Sequence, residues 1–284
     1  LIAHVVSQAR KEGVRARFEC IAYSMYTVPP TNPPMDTSVL VDFCPINQCF
    51  EAQIHDSSSE RNAAYAEALR TWRKSFGGDI SIYSYYRKYA WRSLPVIIPH
   101  YMRSDLRWYD KLGIQGISSY AEPGDWRTYE LNHYTLARLA WNPDADVDAI
   151  ISDFCDSRFG GAAGAAKRVY QVLEETVRRV SSIPFTSLKS PGEIDSCISR
   201  LEAARDSLSR AGGGDKNVNA LLAAVGYALR DFALRRHDSA GGDDDARKKM
   251  VDELSAYLAS HAGEGIFIIG RRLSPEPLLR AHPQ

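Results

Sequence analysis

The sequence predicts an α/β fold that gives way to a helical region, and three observations carry the prediction. Strand-like and helix-like segments alternate through roughly the first 145 residues, the strand-like runs stop after Tyr129, and from there to about residue 262 apolar residues recur mainly at helical spacing. The 284 residues suffice for one large domain or two ordinary ones with a sizeable core.

Taken in order, Ile2, Val5, Val6 and Ala9 make the apolar side of an opening helix that Gly13 ends. VRARFECIAYS concentrates apolar residues around Phe18 and Ile21 and predicts a first strand. The loop from Val28 to Met35 holds four prolines, which excludes helix and central strand. SVLVDFCP is a short apolar run suited to a strand buried on both faces. Residues 60–76 predict a helix with Ala64, Ala68, Leu69 and Trp72 on one side, and Gly77 and Gly78 end it. DISIYSYY follows as a third strand, then the proline-punctuated WRSLPVIIPHYM, a helix over about 102–112 closed by Gly113, and IQGISSY as a fourth strand.

Beyond Tyr129, YELNHYTLARLAW reads as a helix. PDADVDAIISDFCDSRFG reads as a capped helix, with acidic residues in its first turn and Gly160 after its end. Helical periodicity returns over 162–181, 193–211 and 216–237, while GGG at 212–214 and GGDDD at 241–245 read as turns or mobile linkers. The apolar run in the tail GIFIIGRRLSPEPLL predicts a final strand or an extended docking segment.

Four β/α units cannot close an eight-stranded barrel, and an open four-stranded sheet exposes its edges. The chain moreover opens at Leu1, within a helix-like segment, which reads as a fragment. The expected architecture is therefore the carboxy-terminal half of a (β/α)8 TIM barrel over 1–145, followed by a mostly helical region over 146–284. A complete small doubly wound sheet is the competing architecture.

Composition narrows the function. Lys plus Arg and Asp plus Glu number 35 each, a zero balance that argues against a nucleic-acid partner. No run approaches the ~20 apolar residues of a membrane span, and no secretory signal opens the chain. Five cysteines at irregular spacing are no disulfide framework, and Cys44, Cys49 and His55 match no tight metal spacing. Neither metal nor cofactor is expected. The phosphate-loop, dinucleotide and nucleophile-elbow motifs are missing, and GGAAGAA at 160–166 enters a helix after a helix.

Parallel β/α units carry chemistry where their strands run out. There stand Tyr23 and Tyr26, Asp42, Tyr85 and Tyr86, and Tyr120 and Glu122, with Asp125 and Trp126 in the next loop. Pyranose rings offer apolar faces and hydroxyl edges, so their sites combine aromatic platforms with carboxylates. Glycoside cleavage usually needs two carboxyl groups, and Asp42 and Glu122 are the candidate pair across a barrel mouth. Tyr23, Tyr85, Tyr86, Tyr120 and Trp126 are the candidate substrate-binding residues. The bland alternatives are a turn cap or arginine partner for Asp42, and core or rim packing for Tyr83, Tyr85, Tyr86 and Tyr89. His100 and His133 read as packing or surface residues, and His55 as part of a solvated loop.

Several of these segments also resemble a known family. IYSYY followed by LPVIIPHY, then LGIQGISSYAEPGDW, HYTLARLAWNPDADVDAII and DFCDSRFGGAAGAAKRVY are similar to the carboxy-terminal part of bacterial proteins grouped as domain of unknown function 4838. The resemblance covers about residues 15–180. It implies a glycoside-hydrolase-like (β/α)8 barrel, similar in layout to α-glucuronidase and β-hexosaminidase barrels. Glu122 and Trp126 match in position the carboxylate and tryptophan placed after the last strand, and the usual acid of the fourth strand falls before Leu1. Secretion or a periplasmic location is implied by the resemblance alone.

The functional expectation is a carbohydrate-active hydrolase acting on an oligosaccharide or polysaccharide. Its rivals are a non-catalytic sugar-binding barrel and a structural or interaction role for the helices of 148–262.

Overall fold

The computed structural model describes residues 1–31, 35–181, 183 and 187–268. Asn32, Pro33 and Pro34 of the proline-rich loop, and the tail from residue 269, lie outside the described residues. The chain forms two compact units. The first comprises Leu1–Tyr86, Tyr101–Tyr120 and Leu139–Asp144; the second comprises Arg87–His100, Ala121–Arg138 and the residues from Ala145 onward.

The first unit opens with α1 (Ile2–Lys11), β1 (Phe18–Tyr23), β2 (Val39–Cys44) and α2 (Glu60–Ser75). It continues with β3 (Ile80–Ser84), most of α3 (Pro99–Lys111) and β4 (Gly116–Ser119). The four strands are all parallel and lie in the order β1-β2-β3-β4, so β1 and β4 are the edges. A doubly wound sheet reverses its strand order at a switch point, and this sheet has no reversal.

Alternation along the strands sorts the two faces. Cys20 and Ala22, Val39, Val41 and Phe43, and Ile80 and Ile82 all point one way. They form a single core with Val6 of α1, Leu69 and Trp72 of α2, and Tyr109 of α3. β2 is buried along nearly its whole length, as its apolar run predicts, whereas β4 is short and largely open to solvent.

The connection from β2 to α2 is held by polar side chains rather than by regular structure. Asn62 accepts from the Cys49 amide (2.8 Å) and donates to the Cys49, Ala52 and Gln53 carbonyls. Asp105 of α3, fully buried, accepts from Gln48 Nε2 (2.9 Å), the Ile54 amide (3.3 Å) and the Tyr86 hydroxyl (3.3 Å). A loop after a parallel strand carries function only if its backbone groups are satisfied, and these residues supply the partners.

In the second unit α5 (Val147–Phe159), α6 (Ala163–Val180), α7 (Pro191–Gly212), α8 (Lys216–Ser239) and α9 (Asp244–Ser260) pack each against the next. Side chains cap all of these starts but that of α6: Asp146 for α5, a Ser190–Glu193 capping box for α7, and Asp215 for α8. The GGDDD stretch is corrected in part. Asp243 caps α9 by accepting from the Ala246 amide, and Asp244 and Asp245 lie in its first turn, where the helix dipole favours them.

α4 (Glu130–Trp141) contributes Asn132 to this unit, bonded to the Ile98 amide (3.1 Å) and the Val96 carbonyl (2.8 Å). The described part of the tail is not a strand; it docks. Gly265 and Ile266 carbonyls accept from the Arg127 amide and the Thr128 hydroxyl, and the Ile268 amide donates to Ser93 Oγ. Among the described residues no helix is long and apolar enough to cross a membrane.

Candidate functional site

The face of the sheet opposite the core carries the chemistry-bearing side chains of the first unit. Parallel register puts Ile21, Asp42, Ser81 and Gly116 in one row across the four strands. Tyr23 pairs with Cys44, and Tyr83 with Ser118, one row toward the strand ends. Tyr85 and Tyr120 continue past β3 and β4 with the same parity.

Asp42 is the centre of this face. It is only 7% exposed, and its Oδ1 accepts a 2.6 Å hydrogen bond from Ser81 Oγ. Burial raises its pKa, and the Ser81 hydrogen bond offsets part of that rise. The carboxyl therefore keeps its proton to higher pH than an ordinary aspartate and is suited to donating one. The tyrosines lie around it. Tyr83 and Tyr85 meet edge to face with centroids 5.3 Å apart, and burial raises the pKa of both. Both are neutral hydroxyls able to donate and accept. Burial, followed by the charges of Asp42 and Glu19, pushes Cys44 up to about 12, which leaves it a thiol and a poor nucleophile.

The expected site residues divide into three groups. Asp42, Tyr23, Tyr85 and Tyr120 share the sheet face just described. Tyr86 has the opposite parity: it is 2% exposed and its hydroxyl reaches Asp105 in the core. Glu122 and Trp126 belong to the second unit. There Glu122 precedes a short 3-10 segment, Pro123–Thr128, and its charge helps to raise the pKa of Asp125 behind the larger effect of burial. Trp126 is half-exposed and stacks on His133 with centroids 4.3 Å apart. Burial, then the Arg87 charge, lowers the His133 pKa, so the imidazole under Trp126 is neutral.

Asp125 has a structural partner. It is fully buried and receives Arg87 Nε (3.1 Å), the Arg87 terminal nitrogen and Ser93 Oγ (2.8 Å). Ser81, Tyr83 and Glu19 were not singled out as site residues from the sequence, yet all three share the Asp42 face. Two-residue parity in FECIAY and ISIYS was the available signal. Among the described residues no three His, Cys, Asp or Glu side chains are grouped to hold a metal ion.

Fold and face together define a parallel α/β protein with a carboxyl and tyrosines on the sheet face opposite its core. The chain belongs to the family described as a domain of unknown function (DUF4838), whose profile matches residues 2–171. No curated protein and no solved structure matches it.

Proposed function

We propose that this protein is a glycoside-hydrolase-like, carbohydrate-active protein, and that the Asp42 face forms the inner wall of a (β/α)8 barrel. One observation carries the reading: a nearly buried carboxyl stands among tyrosines on the face opposite the core of a parallel sheet whose strand order never reverses. Consecutive strands of a barrel wall have that order, and barrel active sites lie toward the strands' carboxyl ends, where Tyr23, Tyr85 and Tyr120 stand. Asp42 donates or accepts a proton at the glycosidic oxygen, Ser81 orients it, and Tyr23, Tyr83, Tyr85 and Tyr120 present rings and hydroxyls to the sugar. Oligosaccharides and polysaccharides are the substrates of this reading.

The test is turnover of aryl glycosides and a panel of oligosaccharides by wild type and Asp42→Asn. Loss of about 10²–10⁴-fold in kcat for Asp42→Asn, with sugar affinity retained, is the expected outcome. Sugar binding without turnover in the wild type would establish a binding module instead. No binding and no turnover on any sugar would remove the carbohydrate reading.

A further inference from the structure

Residues 125–129 of the second unit are fixed almost side chain by side chain. Asp125 is buried on Arg87 and Ser93 Oγ. The Arg127 amide donates to the Gly265 carbonyl (3.0 Å), and its Nη2 donates to the Lys216 carbonyl (2.8 Å). The Thr128 hydroxyl donates to the Ile266 carbonyl, and Tyr129 is fully buried with its hydroxyl on the Leu94 carbonyl. Trp126 is the exposed member of the five, with 48% of its surface open to solvent.

His133 supports the indole from behind. The Trp126 carbonyl accepts from the Tyr129 amide (3.1 Å), and the Tyr129 carbonyl accepts from the His133 amide (3.0 Å). This ladder runs from the 3-10 segment into α4 and brings residues 126 and 133, two helical turns apart, to the same side. Their rings stack 4.3 Å apart at 19°. The first turn of α4 is itself anchored, since Asn132 bonds the Val96 carbonyl and the Ile98 amide. One face of the indole therefore rests on a flat ring with a fixed backbone, and the exposed surface of Trp126 is left to its other face and edge.

A single open ring suits a small ligand better than a protein. Trp126 is the only exposed large apolar residue between Ala121 and His133, and its exposed neighbours Pro123 and Gly124 are small. A stable protein interface covers roughly 800 Å² on each partner, far more than one indole offers. The apolar C–H face of one pyranose matches one indole face in size and character. A ring already held in place loses little freedom when a ligand settles on it.

We infer, on the strength of the carbohydrate reading above, that His133 is a positioning residue: it holds Trp126 flat as a one-sided platform for a pyranose ring. His133 touches the indole and not the sugar. Its contribution is the orientation of the ring, which an aromatic side chain of similar shape at the same position also supplies.

The experiment is calorimetric titration of the intact chain with cellotetraose, xylotetraose and maltotetraose. At least one binds, Trp126→Ala weakens that binding about tenfold, His133→Ala weakens it about three- to tenfold, and His133→Phe stays within about twofold of wild type. A second measurement needs no ligand. Acrylamide quenching of Trp126, taken as the difference between each chain and its Trp126→Phe counterpart, increases in His133→Ala and keeps its wild-type value in His133→Phe. If the wild type binds a tetrasaccharide and Trp126→Ala or His133→Ala binds it equally well, the platform is overturned while the carbohydrate reading stands. Unchanged quenching in His133→Ala overturns the positioning role. If none of the three sugars binds the wild type, platform and carbohydrate reading fall together.

Discussion

A two-residue periodicity decides which side chains of β2 and β3 are available for chemistry. Val39, Val41 and Phe43 go to the core, and Asp42 between them is turned to the other face beside Ser81. Tyr85 and Tyr86 are neighbours in sequence with opposite fates. Tyr85 shares the Asp42 face, while Tyr86 is buried against Asp105. Substituting each therefore reads out a different property. Tyr85→Ala weakens sugar affinity in the carbohydrate reading and leaves the melting temperature nearly unchanged. Tyr86→Phe removes one buried hydrogen bond, lowers stability by about 1 kcal/mol and leaves sugar affinity unchanged. Chemical denaturation and sugar titration on both variants check this, and an affinity loss in Tyr86→Phe alone would reverse the assignment of the two faces.

Among the elements, the β2–α2 connection depends most on single side chains. Asn62 closes four hydrogen bonds with Cys49, Ala52 and Gln53 from the first turn of α2, and Ser59 caps that helix by accepting from the Asn62 amide. Asn62→Ala strips partners from several backbone groups at once, and the expected loss is about 3 kcal/mol. Hydrogen exchange at the Cys49 amide should accelerate more than exchange in β2. Uniform acceleration along the first unit would mean that the loop has no local stability of its own. The alternation of strands and helices, the capped start of α5 and the amphipathic helices beyond it were legible from periodicity and capping residues. The docking of Gly265–Ile268 was not decidable from an apolar run, since its partners, Arg127, Thr128 and Ser93, are about 140 to 175 residues distant.

At the scale of the whole molecule, Asp105 ties stability to pH. Burial raises its pKa to about 7, against about 3.9 in an unfolded chain. The folded state therefore holds a proton that the unfolded state has lost between about pH 4 and 7. That contribution is complete below pH 4 and is lost as pH rises through 7, a change of about 4 kcal/mol. Denaturation midpoints measured from pH 4 to 8 should fall with rising pH in the wild type and flatten in Asp105→Asn. An equal slope in both would place the titration elsewhere.

The sequence by itself determined the α/β-then-helical order, the four strands and most helix ends, because periodicity and capping act within a few residues. It also marked Glu122 and Asp42, with Trp126 and four tyrosines, as the candidates for sugar chemistry. Only the tertiary structure decided that residues 87–100 and 121–138 pack with the helical unit, through pairs such as Arg87 with Asp125 and Asn132 with Val96. It likewise decided that His100, unremarkable in sequence, stands against Glu174 at the edge of a cavity. Such contacts join residues tens of positions apart, and a local pattern carries no information about which distant partner will satisfy a buried charge.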